Sequence, residues 1–404
     1  MGLEMRGIAS SEIGLFIKMR NRAFGQHTSE EDISRMSRTF KYERAMAVFD
    51  DGLMVGTSAS RSLLMAVPGQ ILPASGIIHV SVQPTHRRRG VFSQMTEKQL
   101  LDIHEEGKPI AILWASQSSI YGRFGFGMSC FHENWSIDRQ YTAFDRSPKY
   151  QVGVRFVDSY DAKRIFPQVY NRAFDWAFRP GMIKRDAVLW DSKLADTERD
   201  RGVASEFFHV IYESNGCVNG YAFYRIDRNN RTLILHELMG ASDDAYSALW
   251  RFCFDVDLIN TTHARHRPVD DSLLWMLSDP RRLRRTPGDS IWLRLVDVAT
   301  ALSGRQYAQE GRLVFEVDDV TCPWNRGRFE LEAGPEGSVC RPTRKKPELF
   351  LRASDLAALF LGGVRCSTLV HAGRVDSNSS EAIRRADHMF STELQPWCGD
   401  FFFM

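Results

Sequence analysis

From Val80 to Phe92 the sequence reads Val-Ser-Val-Gln-Pro-Thr-His-Arg-Arg-Arg-Gly-Val-Phe: an apolar strand stopped at Pro84, three arginines, a glycine and the start of an amphipathic stretch. A tight turn that opens a helix aims unpaired main-chain N–H groups and the positive end of the helix dipole at one point, which suits a pyrophosphate. Arg87, Arg88 and Arg89 would add charge-assisted hydrogen bonds there. Solvated arginines at an ordinary helix start are the competing reading; the strand before and the helix after favour the phosphate site.

Two other groupings carry less chemistry. His263-Ala264-Arg265-His266, taken as helical, has an i,i+3 pair but no third ligand, so no metal is expected. Arg281, Arg282, Arg284 and Arg285 with Lys345 and Lys346 lack interleaved aromatics, and 52 Lys plus Arg against 50 Asp plus Glu leave a net charge of +2, so no nucleic-acid partner is expected. The seven cysteines are scattered without a C-x-x-C pair, which reads as reduced thiols in a cytoplasmic protein. The apolar runs are far shorter than the roughly 18 residues that span a bilayer, and no export signal or membrane segment is read.

The elements that must hold the arginine turn follow from periodicity. A helix is expected over 10–24 with Ser10 or Ser11 as its cap, and another over 30–38. A hairpin turns at Asp50-Asp51-Gly52, a strand runs over 77–82, a helix over 91–106 and a strand over 110–115. A Tyr-Gly-rich segment at 119–127 and a last strand at 129–137 close the unit. With about 150 residues per domain, 404 residues make two or three domains.

The next stretch replays this order: Asn171-Arg172-Ala173-Phe174 repeats Asn21-Arg22-Ala23-Phe24, a hairpin at 214–216 answers the first, a strand at 232–238 answers that at 77–82, and Leu274-Trp275 echoes Leu113-Trp114. Collinear echoes indicate a duplicated unit. Where the first copy has His86-Arg87-Arg88-Arg89-Gly90, the second has Ala241-Ser242-Asp243-Asp244, so only the first can bind an anion at that turn. After an exposed linker at 281–288 a third, unrelated unit begins, with a helix over 291–302, strands at 313–317 and 329–332, a helix at 354–361 and an aromatic tail at 397–404.

Helices, an antiparallel meander, an Arg-x-x-Gly turn, a helix and a further strand resemble the GNAT acyltransferase superfamily. More narrowly, Pro84-Thr85-His86-Arg87-Arg88-Arg89-Gly90, Ile120-Tyr121-Gly122-Arg123-Phe124-Gly125, Pro323-Trp324-Asn325 and the aromatic end of the chain resemble the enhanced intracellular survival (Eis) family of aminoglycoside N-acetyltransferases. The resemblance implies an α+β chain of tandem GNAT folds, with mixed, mostly antiparallel sheets and flanking helices, followed by a sterol-carrier-protein-like α/β domain. It divides the chain into a catalytic domain at 1–145, a GNAT-like companion without the pyrophosphate loop at 146–288, and a C-terminal domain at 289–404.

The same resemblance implies acetyl-CoA as cosubstrate, held by main-chain groups of Val80 and Val82 and by Arg87, Arg88, Arg89, Gly90, Val91 and Phe92. Tyr121 becomes the general acid, a phenol of ordinary pKa about 10 suited to protonating a leaving thiolate. The terminal carboxylate, here on Met404 rather than on the family's usual phenylalanine, becomes the base, and the C-terminal domain supplies it. For a polycationic aminoglycoside, Glu30, Glu31, Asp32 and Asp400 are candidate partners and Phe24 a wall, though each also reads as a surface acid or a core aromatic. A hexamer is implied by the family alone. The remaining readings are acetylation of protein lysine or another small amine, an apolar-ligand-binding protein without catalysis, and an arginine-driven nucleic-acid scaffold.

Overall fold

The structure, a computed structural model, describes residues 2–146 and 153–399. The chain opens with β1 (Glu4–Gly7), α1 (Ile13–Ala23), α2 (Glu30–Thr39), β2 (Ala45–Asp50), β3 (Leu53–Val67), β4 (Gln70–Val82), α3 (Val91–Glu105), β5 (Ile110–Trp114) and β6 (Gly127–Met128). A second set follows: β7 (Phe131–Asp138), β8 (Val154–Val157), α4 (Ser159–Trp176), α5 (Ala187–Lys193), α6 (Glu198–Arg201), β9 (Phe208–Ser214), β10 (Cys217–Asp227), β11 (Thr232–Gly240), α7 (Asp243–Asp255), β12 (Thr261–Arg267), α8 (Leu273–Met276) and β13 (Arg284–Asp289). Then come β14 (Ile291–Leu295), α9 (Val298–Ser303), β15 (Gly311–Asp318), β16 (Gly327–Gly334), β17 (Gly337–Pro342), β18 (Leu349–Arg352), α10 (Ala353–Leu359), α11 (Cys366–His371), β19 (Asp376–Ser377) and α12 (Ser380–Phe390).

These elements form three sheets in two units: residues 2–129 with Ile291–Thr392, and Cys130–Ser290 with residues 393–399. The first unit holds the sheet β1-β2-β3-β4-β5-β14-β6 and the five-stranded sheet β17-β16-β15-β18-β19; the second holds β13-β7-β12-β11-β10-β9-β8. Read from β8 to β13, the second sheet has the order of the first. In both, among the described residues, a single neighbouring pair is parallel, β4 with β5 and β11 with β12.

The sheets exchange a strand. β7 follows the first sheet in sequence yet pairs with β12 and β13, while β14 follows the second and pairs with β5 and β6. The boundary expected at 145 therefore falls before Phe131. The stretch 281–288 is no linker, because β13 zips onto β7 from Arg284↔Ser136 to Asp289↔Phe131. The helix expected over 291–302 is a strand followed by a short helix: buried Ile291, Leu293 and Leu295 alternate along β14, which pairs with β5, before α9 starts. Leu274 and Trp275 lie in α8 with Trp275 82% exposed, so they are not the counterpart of Leu113-Trp114 in β5; that place belongs to β12. His263 and His266 sit on β12, not on a helix.

Local chemistry explains the other elements. Asp51 and Gly52 take φ of 48° and 79°, the left-handed pair that turns a two-residue hairpin. The 3-10 turn Ser10–Glu12 precedes α1, and Glu12, rather than Ser10 or Ser11, takes the Ala9 N–H at 2.9 Å. α1 buries Phe16, Ile17 and Met19 against Ala47, Phe49 and Met54 of the sheet, and α3 lays Val91 and Met95 on Val48 and Val55 of the opposite face. Among the described residues, no helix is long and apolar enough to cross a membrane.

Candidate active site

β4 and β5 run side by side only from Ala74↔Ile110 to Gly76↔Ile112. β4 then continues six residues to Val82, while Leu113 and Trp114 pair away from it with β14. The two strands therefore splay, and among the described residues Val80 and Val82 have no ladder partner on the β5 side. Such an opening offers main-chain N–H and C=O groups to a ligand that carries amides of its own.

The splay ends at the arginine turn. Gln83 N–H donates to the Val55 carbonyl at 2.8 Å, and Pro84–His86 form a single 3-10 turn. Arg88 (φ 64°) and Gly90 (φ 83°) then bend the chain into α3, with Gly90 as N-cap residue. Among the described residues no side chain caps α3, and its ladder begins with Gln94 N–H to Gly90 carbonyl at 3.0 Å, which leaves the first-turn N–H groups for a ligand. This matches the donor set a pyrophosphate needs.

The three arginines are not equivalent. Arg87 Nη2 donates to the Ala23 carbonyl at 3.1 Å, and Arg89 Nη1 lies 3.0 Å from Asp50 Oδ2, which His86 Nε2 also approaches at 3.2 Å. All three nevertheless remain exposed. Asp50 is a member of this turn that the sequence reading used only as a hairpin marker; its signal was the acidic pair facing a basic run.

Tyr121 is 5% exposed and belongs to one apolar cluster with Ile77, Leu113 and Phe124, against which Val80, Phe92 and Ala115 also pack. Its ring meets Phe92, the second residue of α3, edge-on at 5.6 Å and Phe126 at 6.0 Å. Burial pushes its phenol above the ordinary value, and a hydrogen bond with Ser116 pulls partly the other way. The phenol thus keeps its proton at neutral pH beside the splay, as a proton donor must. Ser116 was not foreseen from the sequence.

The acceptor-side residues separate. Phe24 is 46% exposed, with the Arg20 guanidinium 5.9 Å from its ring. Phe174, the same letter of the repeated word, is fully buried. Burying a phenylalanine is worth about 1.5–3 kcal/mol, so Phe24 forgoes a gain that Phe174 takes. Asp32 is committed elsewhere: its carboxylate accepts the Ser29 N–H at 3.0 Å, Ser29 Oγ accepts the Asp32 N–H at 3.1 Å, and Arg35 stands 3.6 Å away. This capping box is worth about 1 kcal/mol, so Asp32 serves α2 rather than a ligand. Glu30 faces solvent and pairs with Lys18 at 3.4 Å, an exposed contact worth about 0–1 kcal/mol that a cationic ligand could displace. Glu31 is exposed on the same turn. Asp400 and Met404 lie outside the described residues. Nearby, His79 packs on Phe16 and Phe40, and burial with the adjacent Arg20 lowers its pKa to about 3.

Residues 4–129 match the model of an acetyltransferase (GNAT) domain, residues 181–295 that of another acetyltransferase (GNAT) domain, and residues 298–399 that of a sterol carrier protein domain. Fold and site define an N-acetyltransferase of the GNAT class, built from two such domains and a sterol-carrier-like one. The chain is 36% identical to an uncharacterized N-acetyltransferase of Streptomyces avermitilis over 98% of its length and 99% of the relative's. It is 35% identical to N-acetyltransferase Eis of Mycobacterium bovis over 84% of each chain. The solved structure of Eis1 from Mycobacterium abscessus superposes with a TM-score of 0.87 at 29% identity, over 99% of this chain and 100% of that one. The chain belongs to the Eis family of GNAT N-acetyltransferases.

Proposed function

We propose that the chain transfers the acetyl group of acetyl-CoA to primary amines of aminoglycoside-like polyamines, at more than one position, as a cytoplasmic homo-oligomer of the family's hexameric type. The observation that carries the reading is the uncapped, arginine-lined start of α3 at the end of the β4–β5 splay, with a protonated tyrosine on the splay's wall.

Val80 and Val82 main-chain groups would hold the pantetheine, and Arg87 to Phe92 the pyrophosphate. The bound acetyl-CoA supplies an activated thioester. Tyr121 is suited to give its phenolic proton to the departing sulfur, a contribution of roughly 10²–10⁴ in rate. The attacking amine must first lose a proton, and the Met404 carboxylate is assigned that task; burial would raise its pKa and improve it as a base. The tail that leads to it is fixed within the second unit. Gln395 N–H donates to Asp270 at 2.9 Å, the Gln395 carbonyl accepts from Arg179 at 2.8 Å, and Trp397 Nε1 donates to the His266 carbonyl at 2.6 Å. Glu30, Glu31 and Asp400 would attract the acceptor's positive charge, with Phe24 as wall.

Thiol release from acetyl-CoA across aminoglycosides, arylamines and lysine peptides tests the acceptor: turnover on the peptides alone would replace the aminoglycoside reading with protein acetylation. Tyr121→Phe should lower turnover by at least about a hundredfold with acetyl-CoA affinity unchanged. A wild-type rate in that variant would remove the acid assignment, and full activity after residues are added beyond Met404 would remove the base.

A further inference from the structure

Behind the Tyr121 turn lies a charge that the reaction as described leaves unused. Arg294, on the exchanged strand β14, is wholly buried, and its Nη2 donates to Asp319 Oδ2 at 2.5 Å. Asp319 is itself fixed: Oδ1 accepts the Cys322 N–H at 2.9 Å, and Oδ2 accepts from Asn325 Nδ2 at 3.3 Å. Asn325 also donates to the Leu295 and Val296 carbonyls and accepts the Val298 N–H. The Pro323-Trp324-Asn325 motif thus clamps the strand that carries Arg294.

The opposite edge of the guanidinium does something else. Nε and Nη1 are buried with no hydrogen-bond partner among the described residues, although the Cys322 thiol lies near the guanidinium. A Cβ built on Gly125 would stand 2.6 Å from Nη1, 2.7 Å from Cζ and 2.9 Å from Nε, and Gly125 has φ of 81°. This edge is therefore pressed flat on the Gly125 backbone. Gly125 closes the turn that starts at Tyr121: Phe124 N–H donates to the Tyr121 carbonyl and Gly125 N–H to the Gly122 carbonyl, each at 3.0 Å. Two residues on, a Cβ on Gly127 would stand 2.1 Å from the Ser354 carbonyl of α10, so the segment is gripped a second time. Leaving two donors unpaired in the interior is costly, and such groups call for an explanation beyond packing.

We propose that Arg294, locked by Asp319, is a positioning residue for the catalytic acid: it sets the Tyr121–Gly125 turn and thereby the place of the phenol. The sterol-carrier-like region then contributes to catalysis through Asp319 and Asn325, independently of the tail. The proposal rests on Tyr121 being the acid.

The test is a double-mutant cycle with the acceptor amine of highest turnover in the panel above. Arg294→Met should lower kcat by about ten- to a hundredfold, the cost of misplacing a reacting group by a fraction of an ångström to an ångström, with KM for acetyl-CoA unchanged. Combined with Tyr121→Phe, it should cost nothing further, because the group it positions has gone. Asp319→Asn, milder in shape, should show the same pattern at smaller size if Arg294→Met does not fold. Full additivity with Tyr121→Phe, or a folded Arg294→Met enzyme with wild-type kcat, overturns the proposal while leaving the acid assignment intact. A wild-type rate for Tyr121→Phe alone overturns both.

Discussion

The two seven-stranded sheets share an order but treat the same opening in opposite ways. In the first, β4 and β5 part after three pairs and the gap runs to an uncapped helix start. In the second, β11 and β12 part after four pairs, from Thr232↔Thr261 to Leu235↔Ala264, and the gap is filled from inside. Counted from the first pair of each parallel ladder, Leu238 holds the place of Val80; its carbonyl accepts from Arg267 Nη1 at 3.2 Å. Arg267 is held by Asp271 at 2.7 Å, and Asp271 by Tyr246. At the helix start, Ser242 Oγ takes the Ala245 N–H at 3.2 Å, where α3 has no side-chain cap, and Asp243 and Asp244 would repel an anion. The sequence between β12 and β13 has no tyrosine. In the second copy the fold's own side chains thus occupy main-chain groups that the first copy leaves open.

The largest expected effect lies in the plug. Arg267→Met leaves Asp271 buried without its cation and should destabilise the protein by about 3–5 kcal/mol, read as a lower urea midpoint, with no acetyl-CoA binding gained at the second sheet. Retained stability would show the plug to be incidental. Next, replacing Arg87-Arg88-Arg89-Gly90 by Ala-Ser-Asp-Asp, the second copy's residues, should weaken acetyl-CoA binding by at least about a hundredfold in calorimetry while circular dichroism is unchanged. Unchanged affinity would break the contrast between the two turns.

The smallest effect is one the sheets share. His79 in the first unit and His236 in the second are kept neutral mainly by burial, helped by Arg20 beside His79 and by Arg225, Lys193 and Arg265 around His236, where Asp196 acts the other way, and each titrates at about 3 instead of 6.5. The unfolded chain therefore binds protons that the folded chain refuses between about pH 6.5 and 3. Stability is complete above about pH 6.5 and declines as the pH falls through that window, by about 2 kcal/mol for each histidine at pH 5. His236→Phe should flatten the profile, and an identical slope in that variant would acquit His236.

Much of the active copy was legible because its signals are local. Pro84, the arginines and Gly90 specify a strand stop, a charged turn and a helix start within ten residues, and Asp51-Gly52 specifies its hairpin without help from elsewhere. Where partners are remote, the reading failed. Arg284 to Gly288 looks like a solvated linker until β7 pairs with it, and Arg284 and Arg285 until Asp138 and Glu133 meet them at 2.8 and 2.5 Å. Asp32 looks like a ligand for cations until Ser29 is seen to share a cap with it.

Composition and short-range pattern determined that this chain folds into duplicated units, that one copy alone carries an arginine- and glycine-rich turn before its helix, and that Tyr121 lies in a glycine-rich segment. Those are properties of neighbours along the chain, fixed by backbone geometry and side-chain type. Tertiary structure alone decided that β7 and β14 change places, that Arg267 closes one cleft, and that Arg294 lies beneath Gly125. Each depends on residues more than a hundred positions apart, or on which face of a strand is buried, and long-range pairing is chosen by the burial and hydrogen bonding of the whole fold rather than by any local preference.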